Sequence, residues 1–370
     1  MIFYCIAVVT VLLAKVVPEK LKIVIGRKKY EIAWLICMLP PFFVSALRYN
    51  VGRDYYTYTV QYFNKVGLGS RKLEPLFSLL IDLCHAVLKD PQSLIILMAV
   101  FFCAIVFRCI YMDSNNILLS VILFFVTGTY YFSLSMMRQM VTFALFLFSL
   151  RFFINRKYVV VTISLIMGTL IHSTGYIYIL FYFVMLLIKY YYKSLDANKL
   201  RLISLIMLMV GFVFSNVVRE QIIKLLDIFG SYYSKYFNSI HDYKNGSITY
   251  LALGCIPYAI ALSSKRPKNT IDIYELNKYD TYFWATWMGA LLSILLPIIP
   301  NGERMVFMFM PVSILSIPYF YDCINFRIYK NLKFYYILFC IITITLISIR
   351  FFLVEDSLYL LPYQWIWQKN

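Results

Sequence analysis

ILLSVILFFVTGTYYFSL, Ile117 to Leu134, runs without one charged side chain. The preceding stretch, SLIILMAVFFCAIVFRCIY from Ser93 to Tyr111, carries a single Arg. At about 1.5 Å per residue each crosses most of a hydrocarbon layer about 30 Å thick if it is helical. Neither alternates apolar with polar residues as a barrel strand does. Lipid supplies no hydrogen-bond partners, so these stretches must pair their backbones internally, as helices do.

The same pattern recurs outward in both directions. Candidate spans are 2–17, 32–47, 93–111, 117–134, 137–153, 158–171, 174–188, 201–217, 248–263, 281–299, 304–321 and 334–352. The fold class is therefore all-α: a polytopic membrane protein of about 12 transmembrane helices. Residues 1–370 form a single integral membrane domain. Composition agrees, because 62% of residues are hydrophobic and only 14% charged, which no soluble globular domain matches. The first run, Ile2 to Val17, has nothing basic before it and no small-residue cleavage pattern after it, so it reads as a true span.

The net charge of +17 lies in short loops between the apolar runs. It reads as orientation by cytoplasmic Lys and Arg and as contact with anionic lipid, with no nucleic acid implied. The scattered Cys contain no CxxC, and His85, His172 and His241 lack metal-site spacing, so no metal is expected. No internal repeat supports a symmetric transporter. No glycine-rich phosphate loop supports a nucleotide-driven pump or a nucleotide-sugar enzyme.

Five basic clusters fix the orientation: Lys20 to Lys29; Arg151, Arg156 and Lys157; Lys189 to Arg201; Lys265 to Lys268; and Arg327 to Lys333. All face the cytoplasm together only if both termini lie outside. Arg48 then begins an outer loop and Asn115 lies inside, which allows an odd number of crossings between them. Two apolar stretches occur there, Pro75 to Leu88 and Ser93 to Tyr111. The first carries Ser78, Asp82, His85 and Lys89 on one helical face and is expected to lie in the interface. Asp54, Thr57, Gln61 and Asn64 share a face in the same way. The outer loop 48–92 thus contains interfacial helices. A second outer loop, 218–247, opens with Ile222, Leu225, Leu226 and Phe229 opposite Glu220, Lys224 and Asp227.

Basic residues also remain on the outer side. Arg48, Arg53, Arg138 and Arg304 all fall at outer ends of spans, where a guanidinium must pair, snorkel or bind an anion. Together they point to a shared anion site, since the guanidinium fork matches phosphate oxygens. Asp54, in RYNVGRDYYTYTVQYF, is the carboxylate closest to the first pair; a salt bridge or a helix N-cap is its bland reading. Glu74, ahead of Pro75, reads as a helix cap, and Glu303 as a partner for Arg304. His172, at the turn of GTLIHSTGYIY, is a general-base candidate on the same side. Tyr55, Tyr56, Tyr58 and Tyr62 offer flat faces with hydroxyls that suit sugar rings as well as interface packing.

Arg48-Tyr49, Gly52, Asp54-Tyr55, Tyr58, Glu74-Pro75, Arg138-Gln139, His172-Ser173 and Arg304, in that order, resemble the EpsG-like branch of Wzy-type polysaccharide polymerases. That family often has a small residue where Arg53 stands. The resemblance implies a fold similar to GT-C glycosyltransferases and a glycosyl transfer at the outer face of the cytoplasmic membrane. A polyprenyl-diphosphate-linked oligosaccharide would be donor and a lipid-linked repeat unit acceptor, in capsule, exopolysaccharide or O-antigen synthesis. No cofactor is implied, and chain-length regulator and flippase proteins are the implied partners. Arg48, Arg138 and Arg304 would hold the diphosphate, and His172 or Asp54 would take the acceptor proton. Tyr49, Tyr55, Tyr58, Gln139 and Glu303 would bind sugar or support the site. An O-antigen-ligase-like transferase and a non-enzymatic flippase or exporter are the alternative functions. A flippase would need polar residues along a path between the faces, and the spans are nearly free of charge.

Overall fold

The computed structural model describes residues 1–25, 28–67, 73–191, 196–214, 217, 247–267, 273–295, 302–324 and 330–368. Most of loop 218–247 therefore lies outside the described residues. The chain divides into two units, Met1–Val184 with Phe352–Asn370, and Met185–Phe351.

The first unit begins with α1 (Ile2–Val16), a hairpin of β1 (Lys22–Ile25) and β2 (Lys28–Glu31), and α2 (Ala33–Ala46). After α2 comes the short strand β3 (Arg48–Tyr49), then a π-helical turn over Thr57–Tyr62. The helices α3 (Pro75–Val87), α4 (Gln92–Asp113), α5 (Ile117–Val126), α6 (Thr129–Ser135), α7 (Met137–Ile154) and α8 (Tyr158–Ile171) complete it, with the start of α9 (Gly175–Tyr191). The chain returns through a π-helical turn at Ile349–Val354 to β4 (Gln364–Trp365).

The second unit holds the rest of α9, then α10 (Ala197–Val213), α11 (Ser247–Ser263), α12 (Ile273–Leu295), α13 (Gly302–Phe309), α14 (Ser313–Cys323) and α15 (Lys330–Ser348). α12 starts well before the expected 281–299, because the polar stretch IYELNKYD continues the helix. Asp280 there takes a two-pronged ion pair from Arg266, with both N···O distances 2.7 Å, and Lys278 lies 4.8 Å from the centre of the Tyr319 ring. A stripe of small residues lets α11 and α12 approach closely: a Cβ on Gly254 would collide with Ser293.

Among the described residues, four helices are long and apolar enough to cross a membrane: Gln92–Asp113, Met137–Ile154, Arg304–Cys323 and Leu332–Val354. α5 and α6 make a fifth if taken as one span bent by 48°. Many shorter apolar helices accompany them, α1, α2 and α8 included. This is an all-α membrane protein.

The break between α5 and α6 has a local cause. Thr127 ends α5 by donating its hydroxyl to the Leu123 carbonyl, 2.7 Å away. Gly128 follows with φ +80°, and any Cβ there would strike the Phe352 ring.

Side-chain contacts identify the two ends of the first unit. At one end Arg151 of α7 pairs with Asp113 of α4 at 3.0 Å, and Arg108 lies beside Trp34 and Glu31. The basic residues Arg151, Arg156 and Lys157 gather there, where α7 passes into α8. At the other end, Gln92 at the start of α4 donates to the Arg48 carbonyl after α2. Glu74, just before α3, meets Arg138 at the start of α7 at that same end. α3 thus leaves from and returns to one end of the unit. It buries Phe77, Ile81 and Cys84 and exposes Leu79 and Leu83.

Candidate functional site

Eight of the ten site positions read from the sequence gather at the α3 end of the first unit. The turn from Arg48 to Asp54 lies directly on the α6–α7 junction. Gly52 makes this possible: its φ is +101°, and a Cβ would press into the Leu134 carbonyl. The Arg53 backbone N–H donates to the Leu358 carbonyl at 2.8 Å and lies 3.0 Å from Ser135 Oγ. Gly52 N–H donates to the Tyr359 carbonyl at 2.8 Å.

Arg48 is only 1% exposed and points inward. Its Nε donates to the Val51 carbonyl at 3.1 Å, and its Nη atoms donate to the carbonyls of Ser45 and Leu134 and approach Met137 Sδ. Burial lowers its pKa, yet a guanidinium stays charged at any working pH. Its donors tie α2 to the α6–α7 junction, so the side chain acts as a clamp. The guanidinium also borders a small pocket with Ser45, Ser133 and Met137.

Arg138 opens α7 and is also buried. Its Nη1 forms an ion pair with Glu74 Oε2 at 2.5 Å, and its Nη2 donates to Tyr62 Oη at 3.3 Å. The guanidinium carbon lies 4.7 Å from the ring centres of both Tyr62 and Phe77. Its Nε is buried and finds no acceptor among the described residues. A buried donor left unpaired costs about 1–3 kcal/mol. Glu74 makes no cap bond to α3, contrary to the expected helix cap. Its second oxygen instead accepts the Ser173 backbone N–H at 3.2 Å. One carboxylate thereby joins α3, α7 and the turn after α8.

His172 ends α8 in extended backbone, with φ −154°. Its Nδ1 lies 3.2 Å from the Thr174 backbone N and 2.9 Å from the Thr174 hydroxyl. A backbone N–H can only donate, so Nδ1 accepts, and the neutral ring carries its proton on Nε2.

Tyr58 and Tyr62 pack edge-on with Phe77 under Arg138. Tyr58 Oη accepts the Arg138 backbone N–H at 3.4 Å, and burial pushes its pKa up to about 12 despite the nearby Arg138 charge. Tyr55 donates to Gln92 Oε1 at 3.0 Å; burial also raises its pKa. Gln92 in turn holds the carbonyls of Ala46 and Arg48, which makes Tyr55 part of the frame. Tyr49 stands edge-on to Tyr55. Gln139 is buried beside Arg138 in α7, and Asp54 is half-buried, one turn before Tyr58. Arg304 belongs to the second unit, on α13, and the side chain of Glu303 lies outside what the structure describes. Among the described residues, no three His, Cys, Asp or Glu gather as a metal site needs.

The segment EDSLYLLPYQWIW, Glu355 to Trp367, carries none of the positions expected from the sequence, yet it walls the site. Arg48 pairs with Trp365 and Tyr49 with Gln364 in an antiparallel ladder. Ile366 N–H donates to the Leu47 carbonyl and Tyr363 Oη to the Val44 carbonyl. Asp356 accepts the backbone N–H groups of Leu360 and Leu361. The available signal was an aromatic, proline-containing tail after the last apolar run, too polar to be a further span.

Compared with known protein families, the chain matches the model described as the EpsG family over residues 31–365. No curated protein and no solved structure matches it.

Proposed function

The chain belongs to the EpsG family, a Wzy-like polymerase family, and on that premise we propose that it lengthens a polysaccharide by glycosyl transfer between lipid-linked glycans. The donor is an oligosaccharide on polyprenyl diphosphate and the acceptor a lipid-linked repeat unit. The acceptor hydroxyl attacks the anomeric carbon of the donor. The bond from that carbon to the diphosphate oxygen breaks, and the polyprenyl diphosphate leaves with the electron pair. The acceptor proton passes to a carboxylate. No nucleotide or metal takes part.

The observation that carries this reading is Arg138 with its unpaired Nε, held by Glu74 beside the His172 turn. A diphosphate oxygen would give that donor its missing acceptor, and its charge would be stabilised where it develops. Arg304, in the second unit, is expected from its sequence position to bind phosphate as well, and Arg48 is the clamp that shapes the turn. Asp54 is the base. His172, whose Nδ1 is already occupied, serves as an Nε2–H donor to the sugar or the diphosphate. Tyr58 and Gln139 support these groups.

The reading places the chemistry at the outer face of the cytoplasmic membrane, in a GT-C-like bundle of about 12 spans. The opposite end of the first unit, where Arg151, Arg156 and Lys157 gather, would then face the cytoplasm. In the outer loop 48–92, the exposed Leu79 and Leu83 of α3 suit an interfacial helix. Flippase and chain-length regulator proteins are the expected partners.

Purified protein incubated with lipid-linked repeats tests the proposal. A ladder of lengthened products supports polymerisation. A single transfer product would instead indicate a ligase, and movement of lipid-linked glycan without any new bond a flippase.

A further inference from the structure

A cleft of about 320 Å³ opens between the 50–56 turn and the tail segment 359–364. Its volume falls within the range of small-molecule sites, about 300–1,000 Å³. Asn50, Arg53 and Tyr56 line one side, and Tyr359, Pro362 and Gln364 the other. We propose that this cleft is a saccharide subsite, which holds pyranose units of the glycan next to the reacting sugar; the assignment rests on the glycosyl-transfer reading above.

Three features carry it. Tyr56 and Tyr359 are 61% and 65% exposed, on the two opposing walls, so large aromatic faces stand open where burial would ordinarily be favoured. The C–H faces of a pyranose ring are apolar and flat, and they cover such rings without loss of their own hydroxyl hydration. The side-chain amides of Asn50 and Gln364 each offer both a donor and an acceptor, which matches neighbouring sugar hydroxyls. The walls are also fixed before any ligand arrives. Gly52 and Arg53 bond the carbonyls of Tyr359 and Leu358, the Tyr49–Gln364 pairing holds the base, and Asp356 holds the backbone at Leu360 and Leu361. A preformed cleft loses little ordering entropy on binding. Asp54 follows Arg53 directly, so a glycan lying here would place its terminal hydroxyl near the proposed base.

The test uses the full-length protein in lipid nanodiscs. The probe is the oligosaccharide released by mild acid from the producing cell's own lipid-linked repeats, which lacks diphosphate and lipid. Binding is followed by saturation-transfer NMR and titration calorimetry. Tyr56→Ala and Tyr359→Ala should each weaken binding tenfold or more, and Tyr359→Phe should bind nearly as the parent. Both ring residues are exposed, so the variants should keep the parent's melting temperature. Failure of the parent to bind the free oligosaccharide, or unchanged binding in both alanine variants, overturns the subsite. The two readings fail separately. A protein that builds a ladder while both alanine variants bind normally loses the cleft and keeps the polymerase. One that binds through the two tyrosines and builds no ladder keeps the cleft and loses the polymerase.

Discussion

Arg138 and Glu74 meet at 2.5 Å in a part-buried ion pair, and Glu74 carries the contact on to Ser173, next to His172. Three segments far apart in sequence are joined through one carboxylate. Removing it leaves the Arg138 side chain, 10% exposed, without its counter-charge. Breaking a buried pair costs about 3–5 kcal/mol, and the 21% exposure of Glu74 brings the expectation below that range. Glu74→Ala should lower the melting temperature and reduce chain extension at least tenfold. Glu74→Gln keeps an acceptor for Ser173 N–H and should recover stability more than activity. Equal activity in the parent and Glu74→Ala would dismiss the relay.

Arg138→Ala removes the proposed diphosphate ligand, and Arg138→Lys removes the fork while keeping the charge. Both should abolish long products at normal expression, because an ammonium cannot bond Glu74, Tyr62 and a phosphate together. Arg304→Ala should do the same. The readout is product length on a gel beside protein level by immunoblot. Normal long product from both alanine variants sinks the anion-site proposal.

Single cysteines at positions 54 and 172 should react with a membrane-impermeant maleimide added to intact cells, and one at position 156 should not. The background would lack Cys5, the exposed native thiol. Arg138 and Arg151 stand at opposite ends of α7, so the proposed orientation requires opposite labelling of the two ends. Labelling of 156 with protection of 54 would invert the proposed orientation.

Gly52→Ala should be among the most damaging small substitutions. It forces a Cβ into the Leu134 carbonyl at φ +101°, so the turn must move off the α6–α7 junction. Strain of this kind costs about 1–3 kcal/mol. Both the melting temperature and chain extension should fall, and a parent-like melting curve would refute the close approach.

Long uncharged runs were legible as helices in the sequence because lipid leaves the backbone no alternative. The expected 158–171 and the observed Tyr158–Ile171 coincide, and 137–153 differs from Met137–Ile154 by one residue. Breaks inside apolar runs were not legible. The Phe352 ring that excludes any side chain at Gly128 is remote in sequence, and 304–321 is interrupted at Met310–Val312, which contains Pro311. Arg48 shows the same limit in the site. Residue type marks an arginine near a span end, but only packing shows whether its donors face a cleft or the carbonyls of Ser45, Val51 and Leu134. The tail from Glu355 escaped notice because its partners are main-chain groups of β3 and the α6–α7 junction, which leave no side-chain pattern to read.

Asp54 and His172 are both candidates for the base, and the proposed scheme assigns the role to Asp54 because His172 Nδ1 already meets Thr174. With Nδ1 accepting from Thr174 N–H, the neutral ring carries its proton on Nε2, and the Nδ1 lone pair is already engaged. The glutamine amide N–H₂ can stand in for that Nε2–H, whereas it cannot replace a basic nitrogen. His172→Gln should therefore retain measurable chain extension, and His172→Ala should lose most of it. Asp54→Asn removes the only proton acceptor in this scheme and should lower the rate by about 10²–10⁴-fold, the usual worth of a general base. The deciding measurement is the initial rate of chain extension for all three variants beside the parent. The expected result is chain extension in His172→Gln well above that of Asp54→Asn. If instead His172→Gln is as inactive as Asp54→Asn, His172 is the base and the Nδ1 contact must open during catalysis.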